Sequence, residues 1–247
     1  MAQLVNDFDI GCDPEFVVLD ASGAFVTVED IGFSGSVGYD HGGACVELRP
    51  QKARGTYTLL KRLRMLLGDA KLKYVAKHRW RSGAWIKDRL NKTMAIGGHI
   101  HFDVPGMSIE QCKALDILVE YLERAELLPR QESVARRTST SYGKFNAFRF
   151  DNAHTEYRTP ASWLHHPRIA FTVLTAAKLV VVSPETAAEY LKKRHNGSVD
   201  RASLIKFFEN FRHKDVNAAR AVSYFEQPHW MDTPPDTDIK TAWRIRV

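Results

Sequence analysis

The chain has 247 residues, a length that suits one large domain or a domain with an accessory lobe. With 44% hydrophobic and 26% charged residues and scattered Gly and Pro, it reads as globular, which excludes a fibrous or long disordered chain. A formal charge of +6 fits a phosphate-bearing ligand or a nucleic acid, and equally a solvated basic surface.

Cys12, Cys45 and Cys112 form neither a disulfide framework nor a zinc-binding spacing, so a reducing, cytoplasmic setting is expected. Residues 1–8 show no basic stretch followed by an apolar run, so no secretory signal is expected. The longest apolar stretch, 169–182, is interrupted by Thr172, Thr175 and Lys178 and is too short for a membrane span.

In chain order, residues 8–19 alternate and end in the turn cluster Asp20-Ala21-Ser22-Gly23. Residues 24–28 then read as the returning strand of a hairpin. The Gly- and Ser-rich stretch 32–43 reads as a loop, and 45–48 as a short strand closed by Pro50. Apolar residues at helical spacing (Leu60, Leu63, Leu67, Ala70, Val75) predict one long helix over 57–78. A strand is expected over 95–104. Ser108 and Gln111 then form a capping box for a helix over 109–128, ended by Pro129. The polar, basic stretch 130–142 reads as a loop. Strands are expected at 145–150 and 155–159 around an Asp151-Asn152 turn. Helices are expected at 167–182, 184–195, 200–211 and 216–225, and 228–238, with Pro234-Pro235, reads as irregular. This mixed order argues α+β with an antiparallel sheet, and no solenoid repeat occurs.

Four of the expected strands carry a polar residue, one spacer and a second polar residue: Asp13-Pro14-Glu15, Glu47-Leu48-Arg49, His99-Ile100-His101 and Glu156-Tyr157-Arg158. Residues i and i+2 of a strand point the same way. On one sheet, these pairs would put four carboxylates among two imidazoles and two guanidiniums on a single face. Carboxylates with one His suit Mg²⁺ or Mn²⁺, and guanidiniums suit phosphate oxygens. Each pair alone reads as well as an ordinary solvent-facing strand pair; the conjunction points to a metal-and-phosphate site. A basic stretch, Arg136-Arg137, Tyr142-Gly143-Lys144, Asn146 and Arg149, leads into the Glu156 strand.

The segments Ile10-Gly11-Cys12-Asp13-Pro14-Glu15-Phe16, Gly38-Tyr39-Asp40, Glu47-Leu48-Arg49-Pro50, Gly98-His99-Ile100-His101-Phe102, Tyr142-Gly143-Lys144, Phe148-Arg149 and Glu156-Tyr157-Arg158-Thr159 occur in this order. In these motifs the chain resembles the phage-type COOH–NH₂ ligases, amidoligases similar to glutamine synthetase and glutamate–cysteine ligase. The resemblance covers roughly residues 8–165. It implies a curved antiparallel sheet of glutamine-synthetase-like type, packed helices, and an ATP site with Mg²⁺ or Mn²⁺. Residues 1–165 would form the ATP- and metal-binding catalytic sheet, and 166–247 a helical part packed on the same domain. Carried over by position, Asp13, Glu15, Glu47, His99 and Glu156 would hold metal. Arg158 would sit on the transferred phosphate, with Glu156 and Arg49 beside it in catalysis. His101, Arg137, Lys144 and Arg149 would serve nucleotide or substrate anions. Asp13 replaces the longer Glu that glutamine synthetase has there, and Phe145-Asn146 replaces the small residues usual after the lysine.

The implied reaction is ATP-dependent amide formation through an acyl phosphate, between a small-molecule or peptide carboxylate and an amine, in the cytoplasm (the host's, for a phage-encoded enzyme). Two rivals remain at this point. One is a metal-dependent hydrolase or nuclease, for which His154, His165 and His166 lack barrel spacing. The other is a basic, non-enzymatic nucleic-acid or virion-associated binding protein.

Overall fold

The computed structural model describes residues 8–29, 33–40, 43, 45–151, 153–192, 201–227, 230, 231, 233, 234 and 236–245. The expected helix end at 195, Asn152 of the turn, Pro235 and the start of the chain lie outside these residues, as does part of the 32–43 stretch. The strands are β1 (Ile10–Leu19), β2 (Val37–Asp40), β3 (Cys45–Leu48), β4 (Arg79–Arg81), β5 (Trp85–Lys87), β6 (Thr93–Ala95), β7 (Gly98–Phe102), β8 (Phe148–Phe150) and β9 (Thr155–Tyr157). The helices are α1 (Thr56–Leu67), α2 (Ile109–Arg124), α3 (Arg130–Ser139), α4 (Pro167–Val182), α5 (Pro184–Leu191), α6 (Arg201–Phe211), α7 (Val216–Phe225) and α8 (Ile239–Trp243), with a 3₁₀ helix at Ala70–Val75.

The main sheet runs β2-β3-β1-β7-β9-β8, with β4 also paired to β1, and every pairing is antiparallel. It is an open sheet, not a closed barrel, and with its helices gives an α+β fold. β1 is buried along nearly its whole length, as a central strand covered on both faces must be. On one face Ile10, Cys12, Phe16 and Val18 join Val46, Leu48, Ile100, Phe102 and Tyr157 in the main core. Apolar residues of α1, α2 and α4 fill the other side of that core. α4 is buried all round because α1, α2, α5 and α7 surround it, which accounts for its nearly unbroken apolar run. On the opposite face the hairpin of β5 and β6 covers a small cluster, with Ile86 and Ile96 against Val17, Leu19 and Cys45. The rest of that face carries the charged residues.

Several elements depart from the sequence expectation. Residues 24–28 form only a bridge, Phe25 to Leu19, with Val26 N donating to Val18 O, while β4 pairs with the same Val17–Leu19 stretch. Asp20 Oδ1 meanwhile accepts from Ser22 N and Ala24 N and tightens the turn. The Gly-rich stretch contains β2, paired with β3. The long helix stops at Gly68; Asp69 then accepts from Lys71 N at 2.8 Å and starts the 3₁₀ helix. The stretch after Pro129 is a helix, α3, and not a loop. α2 has the expected box, Ser108 N donating to Gln111 Oε1 at 2.8 Å and Gln111 N to Ser108 Oγ at 3.2 Å, but it ends at Arg124.

Candidate active site

Strand register assembles the charged face. Asp13 of β1 lies opposite His99 of β7, and Gly11 opposite His101. His101 in turn faces Glu156 of β9, and Glu156 faces Arg149 of β8. On the other side Glu15 faces Glu47 of β3, and Glu47 faces Gly38 of β2. Residues far apart in sequence thus form one row across six strands. Above the row opens a cavity of about 420 Å³ lined by Asp13, Asp40, Glu47, Arg49, His99, His101, Arg149, Asp151, His154, Glu156 and Arg158.

Two carboxylates converge on one ring nitrogen. His99 Nδ1 is 3.1 Å from Asp13 Oδ1 and 3.4 Å from Glu156 Oε1. Asp13 Oδ2 is 3.0 Å from His101 Nε2. Glu156 is flanked by Arg158, Nε to Oε1 at 3.2 Å, and by Arg149, Nη1 to Oε2 at 3.5 Å. Arg49 folds across Gly38 to pair with Glu47, and its Nη1 donates to Gly35 O at 3.2 Å. A Cβ at position 38 would run into that guanidinium, so glycine is what lets Arg49 lie there.

Burial opposes the charge on Asp13, but hydrogen bonds from His101 and His99, and their charge, hold its carboxyl well below the usual range. Burial alone would lower His99. The hydrogen bond and charge of Asp13, with the charges of Glu15 and Glu156, raise it above its ordinary value instead.

One ligand atom each from Asp13, His99 and Glu156 lies within 4.8 Å of the others. Two hard oxygens and one imidazole nitrogen, converging in a buried place, fit Mg²⁺ or Mn²⁺. A cation there would relieve the repulsion between two carboxylates that burial leaves poorly screened.

The structure brings eight of the expected residues to the cavity wall: Asp13, Glu47, Arg49, His99, His101, Arg149, Glu156 and Arg158. Glu15 is fully buried behind them; its Oε2 accepts from Gly97 N at 2.6 Å and from Tyr142 Oη at 3.2 Å. Arg137 and Lys144 are not brought there. Arg137 is turned to α2, where both its Nη atoms donate to Glu123 at 2.7 Å. Lys144 is exposed, and its carbonyl accepts from Thr159 Oγ1.

Sequence reasoning put Asp40 and Tyr142 in motifs without assigning them a site role, gave Asp151 only a turn, and weighed His154 only for the rival hydrolase. Asp151 and His154 belong to the β8–β9 turn, and a hairpin whose strands carry site residues holds its turn at the rim of that face. His154 Nδ1 is 2.6 Å from Asp151 Oδ2, and its ring lies 5.6 Å from that of His101. Asp40 stands two residues after Gly38 on an edge strand that the Gly-rich composition hid.

Compared with known proteins, the chain matches the family model "Phage phiEco32-like COOH.NH2 ligase-type 2" over residues 10–202. No match was found among curated proteins. Among solved structures, the complex between prokaryotic ubiquitin-like protein Pup and its ligase PafA aligns with a TM-score of 0.53 at 10% identity, over 91% of this chain and 64% of that one. A bifunctional glutathione synthetase from Pasteurella multocida aligns with a TM-score of 0.53 at 10% identity, over 98% of this chain and 49% of that one. The chain therefore spans about half to two-thirds of the length of these relatives. At such identity the likeness is one of fold.

Proposed function

The chain belongs to the phage phiEco32-like COOH·NH₂ ligase family, type 2, and from that premise we propose that it joins a carboxylate to an amine at the expense of ATP. The observation that carries the reading is the convergence of Asp13 and Glu156 on His99 Nδ1, with Arg158 against the same Glu156 oxygen and Arg149 against the other. This juxtaposition supports a reading in which a cation-binding set would stand beside a phosphate-binding set on one wall.

In the proposed reaction a substrate carboxylate oxygen attacks the γ-phosphorus of ATP and ADP leaves. The amine nitrogen then attacks the acyl carbon of the acyl phosphate, phosphate leaves and the amide remains. Asp13, His99 and Glu156 would hold Mg²⁺ or Mn²⁺, with Glu47 and Glu15 as further carboxylates of the same face. The ion, when bound, would neutralise phosphate charge. Arg158 and Arg149 would clamp the oxygens of the transferred phosphoryl group and stabilise charge as it develops there. Arg49, held over Gly38, would present its guanidinium to a second anionic group. His101 and His154 would wall the nucleotide or substrate side. The proton lost by the attacking ammonium has acceptors in the same wall, the carboxylates of Asp40 and Asp151. The sheet orients all of these before substrate arrives, and such preorganisation is the main contribution a protein makes to phosphoryl and acyl transfer.

The test is purified protein with Mg²⁺ and ATP, scored for ADP release. ADP should form only when a carboxylate and an amine acceptor are both supplied. Glu15→Gln and Arg158→Ala should each abolish release while the unfolding temperature stays near that of the parent. Variants that turn over ATP like the parent would overturn the site. Mg²⁺-dependent DNA cleavage without ATP would overturn the ligase reading in favour of a nuclease.

A further inference from the structure

We infer that Tyr142 is a positioning residue that aims His99 at the cation and holds Arg158 beside it, an inference that rests on the metal-dependent ligase reading above. Tyr142 follows α3 in a segment that belongs to no strand of the sheet. Its hydroxyl nonetheless reaches the centre of the site. Tyr142 Oη is 2.6 Å from His99 Nε2 and 3.2 Å from Glu15 Oε2. The two nitrogens of His99 are thereby divided, Nδ1 toward Asp13 and Glu156 and Nε2 toward the phenol.

The donor order follows from what each group can do. Glu15 Oε2, which already accepts from Gly97 N, also accepts the phenol proton. Tyr142 Oη is then left as an acceptor, and Nε2–H of His99 donates to it. With the Nε2 proton held by the phenol, an ion bound with Asp13 and Glu156 would displace the Nδ1 proton that His99 shares with Asp13 and take the lone pair it leaves. Orientation of a metal-binding imidazole by the hydrogen bond at its other nitrogen is a general device.

Two further features support the role. A Cβ at Gly97 would stand 2.9 Å from both His99 Nε2 and Tyr142 Oη, so the absence of a side chain there leaves room for the contact. The ring of Tyr142 also meets two guanidiniums, with Arg136 at 5.2 Å and Arg158 at 5.6 Å from its centroid. Arg136 is fixed, donating to Ile96 O and Thr159 O, each at 2.6 Å. Arg158 therefore rests on a ring whose other guanidinium contact is anchored in the fold.

Tyr142→Phe removes one oxygen and keeps the ring, whereas Tyr142→Leu removes both. Mn²⁺ binding to the full chain without nucleotide, followed by electron paramagnetic resonance, should weaken about 10- to 100-fold in Tyr142→Phe. ATP affinity in EDTA, which reads Arg158 without the ion, should be unchanged in Tyr142→Phe and fall several-fold in Tyr142→Leu. If Tyr142→Phe binds Mn²⁺ like the parent, this inference alone fails. If the parent binds no more Mn²⁺ than Asp13→Asn does, the metal reading fails and takes this inference with it. A measurement on the parent guards against a misfolded variant. In ¹⁵N-histidine-labelled parent with saturating Mg²⁺, the His99 signal should show a proton on Nε2, and a bare Nε2 overturns the inference.

Discussion

His165 poses the sharpest contrast to the histidines of the cavity. His99 sits among carboxylates that favour its charged form, whereas His165 is fully buried, and burial drives it down to about 3 from an ordinary 6.5. The folded protein therefore keeps His165 neutral over a range in which the unfolded chain binds a proton. Between pH 6.5 and pH 3 the unfolded state carries more protons, so stability rises with pH across that window and is lost as pH falls through it. The slope is about 1.4 kcal/mol per pH unit for one fully buried group. His165→Leu, compared with the parent by urea unfolding at pH 7 and pH 4.5, should lack this component. The parent should lose more stability than the variant on acidification, and equal losses would refute the account. Residue identity alone does not separate these histidines. His99 was legible because Gly97, Gly98 and His101 surround it in a strand pattern, whereas His165 gains its character only from the packing of distant elements.

At the level of elements, α3 shows why part of the architecture was hidden. Residues 130–139 read as a polar, basic stretch, yet they form a helix whose Arg136 is completely buried. Its guanidinium donates to Ile96 O and Thr159 O at 2.6 Å, with Pro160 O at 3.4 Å. Arg137 grips Glu123 of α2 in a two-pronged pair. Cations here do the fastening that apolar residues do elsewhere, so a hydrophobic-pattern reading misses the helix. The four charged strand pairs were readable for the opposite reason, since alternation is a local property of a strand. Burial lowers Arg136 only to about 10, so it stays ionised at neutral pH. Arg136→Ala would leave buried carbonyls without their donor, at a cost of roughly 3 kcal/mol. Arg136→Lys should recover only part of this, because one ammonium cannot reproduce a planar fork reaching two separate segments. Urea unfolding midpoints should rank parent, then Lys, then Ala. A Lys variant as stable as the parent would show that charge alone, and not fork geometry, holds α3.

The whole molecule joins the site to the stability of the sheet. The order β2-β3-β1-β7-β9-β8 could not be read from the chain, because it depends on pairings between segments as far apart as β1 and β7. Local patterns named most of the strands and the turn that joins β8 to β9, but not the pairings between distant strands, and missed β2 and the short strands β4, β5 and β6. That same order places Asp13, His99 and Glu156 on three adjacent strands. An ion bound by all three would clamp β1, β7 and β9 together and would find no such set in the unfolded chain. Binding to the folded state alone adds about 2.7 kcal/mol when free ion is 100-fold above its dissociation constant. For a chain of this size each kcal/mol is worth roughly 2–4 °C in melting temperature. Mg²⁺ or Mn²⁺ should therefore raise the melting temperature by roughly 5–10 °C at that excess. A NaCl control at matched ionic strength separates this from general screening of a chain of net charge +6. Asp13→Asn should lose the rise, because the remaining His99 and Glu156 hold the ion with one ligand fewer and one negative charge less. A rise of equal size in Asp13→Asn would place the stabilising ion elsewhere on the molecule and detach the sheet's stability from this site.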